Sequence, residues 1–229
     1  ENVVSFEARL RWRSEEHGMV SPVKFIPLAE DTRLIVPIGD WVMREACKEA
    51  LNWPSHIKVG VNVSGEQLLD PQFSAKVVNT LASTGLSPER LEIEVTESIF
   101  LRDGATARAT LERIRELGCS IALDDFGTGY SSLGYLRTLR FSTIKVDRSF
   151  VQGAAVGNAE SLAIIRAVVA MAQSLEMATT AEGVETAEEA AMIRNLGCTK
   201  IQGYYFGRPM AAEEAIGLFR SQVMRGAVA

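Results

Sequence analysis

The chain has 229 residues, with 24 Lys and Arg against 29 Asp and Glu, and a formal charge of −5 at a pI near 5.3. That balance excludes a broad face for polymeric nucleic acid, while leaving room for a small anionic ligand held by metal ions and one or two basic side chains. Cys47, Cys119 and Cys198 are too widely spaced for a disulfide framework or a zinc knuckle. No apolar run approaches the roughly 20 residues of a membrane span and no signal-peptide pattern opens the chain, so a cytoplasmic setting is expected.

In chain order, a strand pattern appears at once over 3–8, and alternation continues to Trp12, which puts Glu7, Arg9 and Arg11 on one side. Residue 1 is Glu, so the chain reads as one domain, 1–229, excised from a longer multidomain protein, with the cytoplasmic part of a membrane-anchored one as an alternative. A polar loop is expected over 13–21. Residues 22–30 and 38–51 have helical spacing, with Trp41, Val42, Ala46 and Leu51 able to share an apolar face. Strand 57–63 and helix 71–83 follow, the helix with Pro71 near its first turn. Strand 91–97 alternates, and helix 105–117 stops at Gly118. Residues 120–123 are strand-like and run into Asp124-Asp125, then into a loop with Gly127 and Gly129. Strand 143–147, helix 160–175, strand 177–182, helix 185–196, strand 200–202 and a closing helix over 211–223 complete the chain.

Strand, loop and helix recur at least six times with crossovers long enough to hold a helix, which implies parallel strands. The natural closed form is an α/β fold of the TIM type, a (β/α)8-like barrel. An open doubly wound sheet is the rival, weakened because no GxGxxG opens a helix after a strand. In a parallel barrel the functional rim is the carboxyl end of the strands. The sequence places there Glu7, Asn62, Glu94 with Glu97, Asp124 with Asp125, Lys145 with Asp147, Glu182 and Gln202. An Asp-Asp pair alone reads as a solvated acidic turn, whereas oxygen donors converging from several strand ends are what hard divalent cations require. Asp124 would bridge two ions and Asp125 serve one, and a metal pair about 3.5–4 Å apart clamps a phosphodiester for in-line attack by water. Lys145 would orient or electrostatically assist that water.

Eight motifs now carry a resemblance. They are Glu7-Ala8-Arg9-Leu10-Arg11-Trp12, Phe25-Ile26-Pro27-Leu28-Ala29-Glu30, Asn62-Val63-Ser64, Glu94-Val95-Thr96-Glu97-Ser98, the run from Asp124 through Gly127, Gly129 and Tyr130 to Leu133, Lys145-Val146-Asp147-Arg148-Ser149-Phe150-Val151, Ala181-Glu182-Gly183-Val184-Glu185-Thr186, and Gln202-Gly203-Tyr204-Tyr205-Phe206-Gly207-Arg208-Pro209. In this order and over nearly the whole chain they resemble the EAL domain, the phosphodiesterase family that opens cyclic di-GMP to linear pGpG.

The resemblance implies that Glu7, Asn62, Glu94 and Asp124 hold one metal ion, and that Asp124, Asp125 and Glu182, directly or through water, hold the second. Lys145 would contact the attacking water, Glu182 is also a candidate general base, and Glu97 would hold the Asp124-Asp125 loop in place. Arg11 would contact a substrate phosphate, Gln202 would sit at the substrate mouth, and Asp147 and Glu185 would support the substrate side. Mg2+ or Mn2+ is the implied cofactor pair, with Ca2+ binding but inhibiting. A homodimer and upstream sensor domains are the implied partners, with the 127–129 loop a place where such contacts could set activity. A non-catalytic cyclic di-GMP receptor is the alternative, and an unrelated metal hydrolase a third reading.

Three departures stand out. Arg9 replaces a family Leu, which predicts altered substrate affinity with hydrolysis retained. Ser142 stands at a commonly acidic position, and the usual N-terminal strand with a Gln-Pro pair does not appear in the sequence. His17 and His56 read as surface or structural residues, Trp12, Trp41 and Trp53 as core, and Glu188 and Glu189 as a solvated helix start. For Tyr204, Tyr205 and Phe206, core and base-stacking readings are evenly balanced.

Overall fold

The computed structural model describes residues 2–128, 134, 136 and 139–217. The chain packs as two compact units, the first Glu1–Ile93, Ala105–Cys119 and Met210–Ala229, the second Glu94–Gly104 and Ser120–Pro209.

In the first unit, β1 (Ser5–Ala8) runs parallel to β4 (Lys58–Asn62), with Glu7 opposite Gly60. The next neighbour of β4 is β5 (Leu91–Thr96), whose end passes into the second unit. Contrary to the alternation, β1 stops at Ala8. The expected polar loop is instead an antiparallel hairpin of β2 (Trp12–Ser14) and β3 (Gly18–Val20). Its turn is made by the Ser14 hydroxyl, which accepts the backbone N–H of Glu16 and of His17 at 3.3 and 3.2 Å, and by Gly18 at φ 64°.

The helix pair α1 (Pro22–Asp31) and α2 (Ile35–Ala50) follows. The buried stripe of α2 is Ile35, Gly39, Met43, Ala46, Cys47 and Ala50, so Trp41 and Leu51 face outward at 53% and 47% exposure. The expected apolar face is thus rotated. Small residues, which score weakly as hydrophobic, mark the close approach: a Cβ on Gly39 would meet the buried Gln67 side chain. Gln67 belongs to α3 (Gly65–Leu68), a single turn that the sequence reading missed, closed by a capping box with Ser64. Helix α4 (Phe73–Thr84) starts beyond Pro71 and ends at Gly85 with φ 79°. The Arg90 guanidinium ties the end of α2 to the start of β4, donating to Ala50 O at 2.6 Å, Ile57 O at 2.9 Å and Pro54 O at 3.3 Å. Ile57, Val59, Leu68, Phe73, Leu91, Ile93, Leu111 and Ile114 form the buried core of this unit, each contributing about 1.5–3 kcal/mol by leaving water.

In the second unit the order is the end of β5, then β6 (Ser120–Phe126), β7 (Thr143–Val146), β8 (Ala178–Ala181) and β9 (Lys200–Ile201). The β6–β7, β7–β8 and β8–β9 pairs are parallel. Helix α5 (Ile99–Glu116) breaks at Asp103 (φ −150°, ψ 80°), and the division between units falls just after it. Helix α6 (Arg148–Ala155), unforeseen because it follows β7 without a loop, is capped by the Asp147 side chain. Helix α7 (Ala159–Ser174) begins and ends one residue before the expected span, and α8 (Ala187–Asn195) lies within its own. Residues 212–217 are helical, and the remainder of the expected closing helix, 218–223, lies outside the described residues. The sheet order β1-β4-β5-β6-β7-β8-β9 follows the sequence without reversal. A doubly wound sheet requires a reversal, so that rival is excluded. Among the described residues no helix is long and apolar enough to cross a membrane.

Candidate active site

Lys145, the third residue of β7, is 3% exposed, a depth at which a lone ammonium is not tolerated. Its Nζ lies 2.5 Å from Glu94 Oε2, 2.6 Å from Glu182 Oε1 and 3.4 Å from Asp124 Oδ2. Glu94 comes from β5, Asp124 from β6 and Glu182 from the residue after β8. Side chains that alternate along neighbouring strands bring them to one face. Glu94 and Asp124 are themselves buried, at 4% and 9% exposure. Three carboxylates thus gather around one ammonium, whose charge they offset in a place where water cannot.

The two adjacent aspartates separate. Residues 120–123 were expected to end the strand, but β6 continues through both carboxylates to Phe126, whose ring is buried. The pairing with β7 shifts register between Leu123 and Phe126, and Asp125 sits at φ 52°, a left-handed conformation that Asp tolerates better than most residues. This bulge sends Asp124 inward and leaves Asp125 exposed. The Asp125 N–H donates to Asp124 Oδ1 at 3.0 Å. Beyond it, the Gly127 N–H donates to Oε1 of the buried Glu97 at 2.9 Å, which ties Glu97 to the loop after β6. The rest of that motif, from 129 to 133, lies outside the described residues.

Asp147 accepts the Ser149 N–H at 2.9 Å and the Ser149 hydroxyl at 2.5 Å as the cap of α6. The exposed Glu185 donates its N–H to Glu189 Oε2 at 2.6 Å. Glu189 is therefore more than a solvated helix start, because it completes a capping box with Thr186. Gln202 extends the sheet, its N–H reaching Ala181 O at 2.8 Å and its carbonyl accepting from Val184 N at 3.1 Å. Tyr205 N–H then reaches Val184 O at 3.1 Å. A Cβ on Gly203 would strike the Val184 backbone, which fixes this turn and leaves Tyr204, Tyr205 and Phe206 at 47%, 44% and 40% exposure.

In the first unit, Glu7 Oε1 accepts from Asn62 Nδ2 at 2.8 Å, and Oε2 pairs with Arg9 Nη2 at 2.9 Å. Arg11 is exposed and turns back to donate to Leu10 O at 2.9 Å, since the strand that would have aimed it beside Glu7 ends at Ala8. Of the three tryptophans expected in the core only Trp53 is buried, tilted against Phe6 at 5.1 Å. Trp12 is 45% exposed, edge-on to Phe25 at 5.7 Å. All three cysteines are buried and free. Burial pushes the thiol of Cys47 up to about 12, with a contribution from Cys119, and that of Cys119 up to about 11. Among the described residues no group of three His, Cys, Asp or Glu side chains is arranged to hold an ion. In the second unit the ammonium of Lys145 stands among the acids.

Sequential parallel strands whose carboxyl ends present buried acids around a lysine define an α/β protein of the TIM-barrel class with an acidic rim site. The sequence pattern of the EAL domain matches residues 1–209, and the chain belongs to that family. It is 47% identical over 220 residues to an uncharacterized protein of Sinorhizobium fredii, covering 96% of this chain and 26% of that protein. It is 40% identical over 218 residues to the bifunctional diguanylate cyclase/cyclic di-GMP phosphodiesterase MucR of Pseudomonas aeruginosa, covering 93% of this chain and 32% of that protein. A solved structure described as the PaMucR phosphodiesterase in complex with c-di-GMP superimposes with a TM-score of 0.88 at 41% identity, over 93% of this chain and 87% of that one. The chain thus spans between 26% and 32% of the length of these curated relatives.

Proposed function

We propose that residues 1–229 act as one EAL-type phosphodiesterase domain that opens cyclic di-GMP to linear pGpG. The observation that carries this reading is Lys145, buried and paired with Glu94, Asp124 and Glu182. The relative named as a cyclic di-GMP phosphodiesterase and the solved c-di-GMP complex support the choice of substrate.

The donors fit a pair of hard divalent ions, Mg2+ or Mn2+. All are oxygens, the donors such ions prefer, and three of the carboxylates already gather around the Lys145 ammonium. Glu7, Asn62, Glu94 and Asp124 would hold one ion, and Asp124, Asp125 and Glu182 the other. Bound there, the ions would polarise the phosphodiester and make a water acidic enough to attack near neutral pH. Lys145 Nζ, held among the three carboxylates, would donate a hydrogen bond to that water and orient it. Glu182, fixed by Nζ, either helps to hold an ion or takes the water's proton. Glu97 is a positioning residue, keeping Asp124 and Asp125 in place through the Gly127 N–H. Arg11 would have to leave Leu10 O to take a substrate phosphate, and Gln202 would border the mouth of the site. Asp147 and Glu185 act through the backbone turns they border. A homodimer and further sensor domains belong to this reading, and the greater length of the relatives supports the latter.

The test is to incubate the chain with cyclic di-GMP and Mg2+ or Mn2+, with and without chelator, and to resolve the products by chromatography. Linear pGpG is expected only with the ion, and added Ca2+ should suppress it. Binding without linear product would establish a receptor instead. Unchanged turnover in Asp124→Ala would assign the hydrolysis to another site.

A further inference from the structure

One carboxylate that the proposed function gives to a metal ion already carries a cation. Both oxygens of Glu7 are engaged, Oε1 by Asn62 Nδ2 at 2.8 Å and Oε2 by Arg9 Nη2 at 2.9 Å. The two partners of the ion pair differ in freedom. The Glu7 side chain is 10% exposed and Arg9 is 42% exposed. Glu7 is fixed by the pairing of β1 with β4, whereas Arg9 lies past the last residue of β1. The carboxylate is therefore the more buried partner and the guanidinium the more exposed one.

We propose that Arg9 is a built-in competitor for the ion at Glu7, lowering the affinity of this chain for divalent metal and setting the concentration at which the site fills. The inference rests on the metal-dependent reading of the site. A guanidinium and a divalent cation seek the same carboxylate lone pairs, and at this range they also repel each other. Because the Arg9 side chain is 42% exposed, water screens the pair and the competition is modest. An exposed ion pair of this kind shifts binding by about two- to fivefold. A Leu at this position would offer no such competition.

The experiment is a Mn2+ titration of the whole chain without substrate, following the free-ion paramagnetic resonance signal, for the unaltered chain, Arg9→Leu, Arg9→Lys and Glu7→Gln. Arg9→Leu should bind Mn2+ about two- to fivefold more tightly, with Arg9→Lys in between because its point charge pairs less well. In a Glu7→Gln background the Arg9→Leu change should have no effect. Equal or weaker binding by Arg9→Leu would overturn the proposal alone, as would a gain that persists without Glu7. Failure of every variant to bind Mn2+ would remove the metal-dependent reading and the proposal together. The ion-free Arg9→Leu chain should melt as the unaltered chain does, which separates a change in affinity from misfolding.

Discussion

Lys145 and Arg9 are both cations laid against carboxylates, and they differ in their access to water. The Lys145 side chain is 4% exposed and meets three acids, while that of Arg9 is 42% exposed and meets Glu7. Removing a buried partner strands charges that cannot be solvated, so the first arrangement is bound up with folding as well as with chemistry. Removing the exposed one merely returns an ion to solvent, so it can tune a site without endangering the fold.

The comparison breaks most visibly at Lys145. Lys145→Met should cost the ion-free chain about 3–5 kcal/mol in urea unfolding, with part of the loss recovered when divalent ion is added. The cyclic di-GMP hydrolysis proposed for the chain should fall about 100-fold or more in this variant. Unchanged stability would mean that the acids around Nζ are better solvated than their burial implies. Next in size is Glu97→Ala, which removes the acceptor of the Gly127 N–H. The rate should drop about 10- to 100-fold, while Glu97→Gln, which keeps an acceptor oxygen, should retain much more of it.

Between the two extremes lies Lys76, whose Nζ bridges Asp40 at 2.8 Å and Asp70 at 2.9 Å with side chains 27%, 23% and 18% exposed. The Gln72 N–H, then Lys76, hold the Asp70 carboxyl below its ordinary 3.8, with burial opposing. Burial pushes Lys76 down, but Asp40 and Asp70 outweigh it and raise it above 10.5. A depressed carboxyl stabilises the fold above its unfolded value and loses that contribution as pH falls through the folded value. A raised ammonium stabilises below its unfolded value and loses it as pH rises through the folded one. Melting temperature should therefore decline on going below pH 3.8 and again above pH 10.5, and Lys76→Met should remove the alkaline limb and only shrink the acid one, because the Gln72 N–H still holds Asp70. The smallest effect belongs to Arg9→Leu, which should alter ion-free stability by no more than about 1 kcal/mol in the same urea unfolding.

What the sequence made legible follows the same division. Strand and helix alternation gave the parallel order because helix and strand periods differ plainly over long stretches such as 160–175 and 91–97. Hidden from it were features set by single backbone conformations. These include the β2–β3 hairpin closed by Ser14 and Gly18, the bulge that parts Asp124 from Asp125, and the short helices that begin directly after Asn62-Val63-Ser64 and after Asp147. The outward turn of Trp41 escaped notice because the helix buries its small residues. At the site, motif spelling named Glu94, Asp124, Lys145 and Glu182, which the fold gathers, and Glu97, which it places on the Gly127 loop. The pairing of Arg9 with Glu7 was not read, because alternation placed both on one strand that in fact stops at Ala8.

The most direct test of the central claim is diffraction from crystals of the chain soaked in Mn2+, collected for anomalous scattering. The account predicts two Mn2+ peaks, one contacted by Glu7, Asn62, Glu94 and Asp124 and one by Asp124 and Asp125. Peaks away from these oxygens, or none at saturating Mn2+, would contradict it.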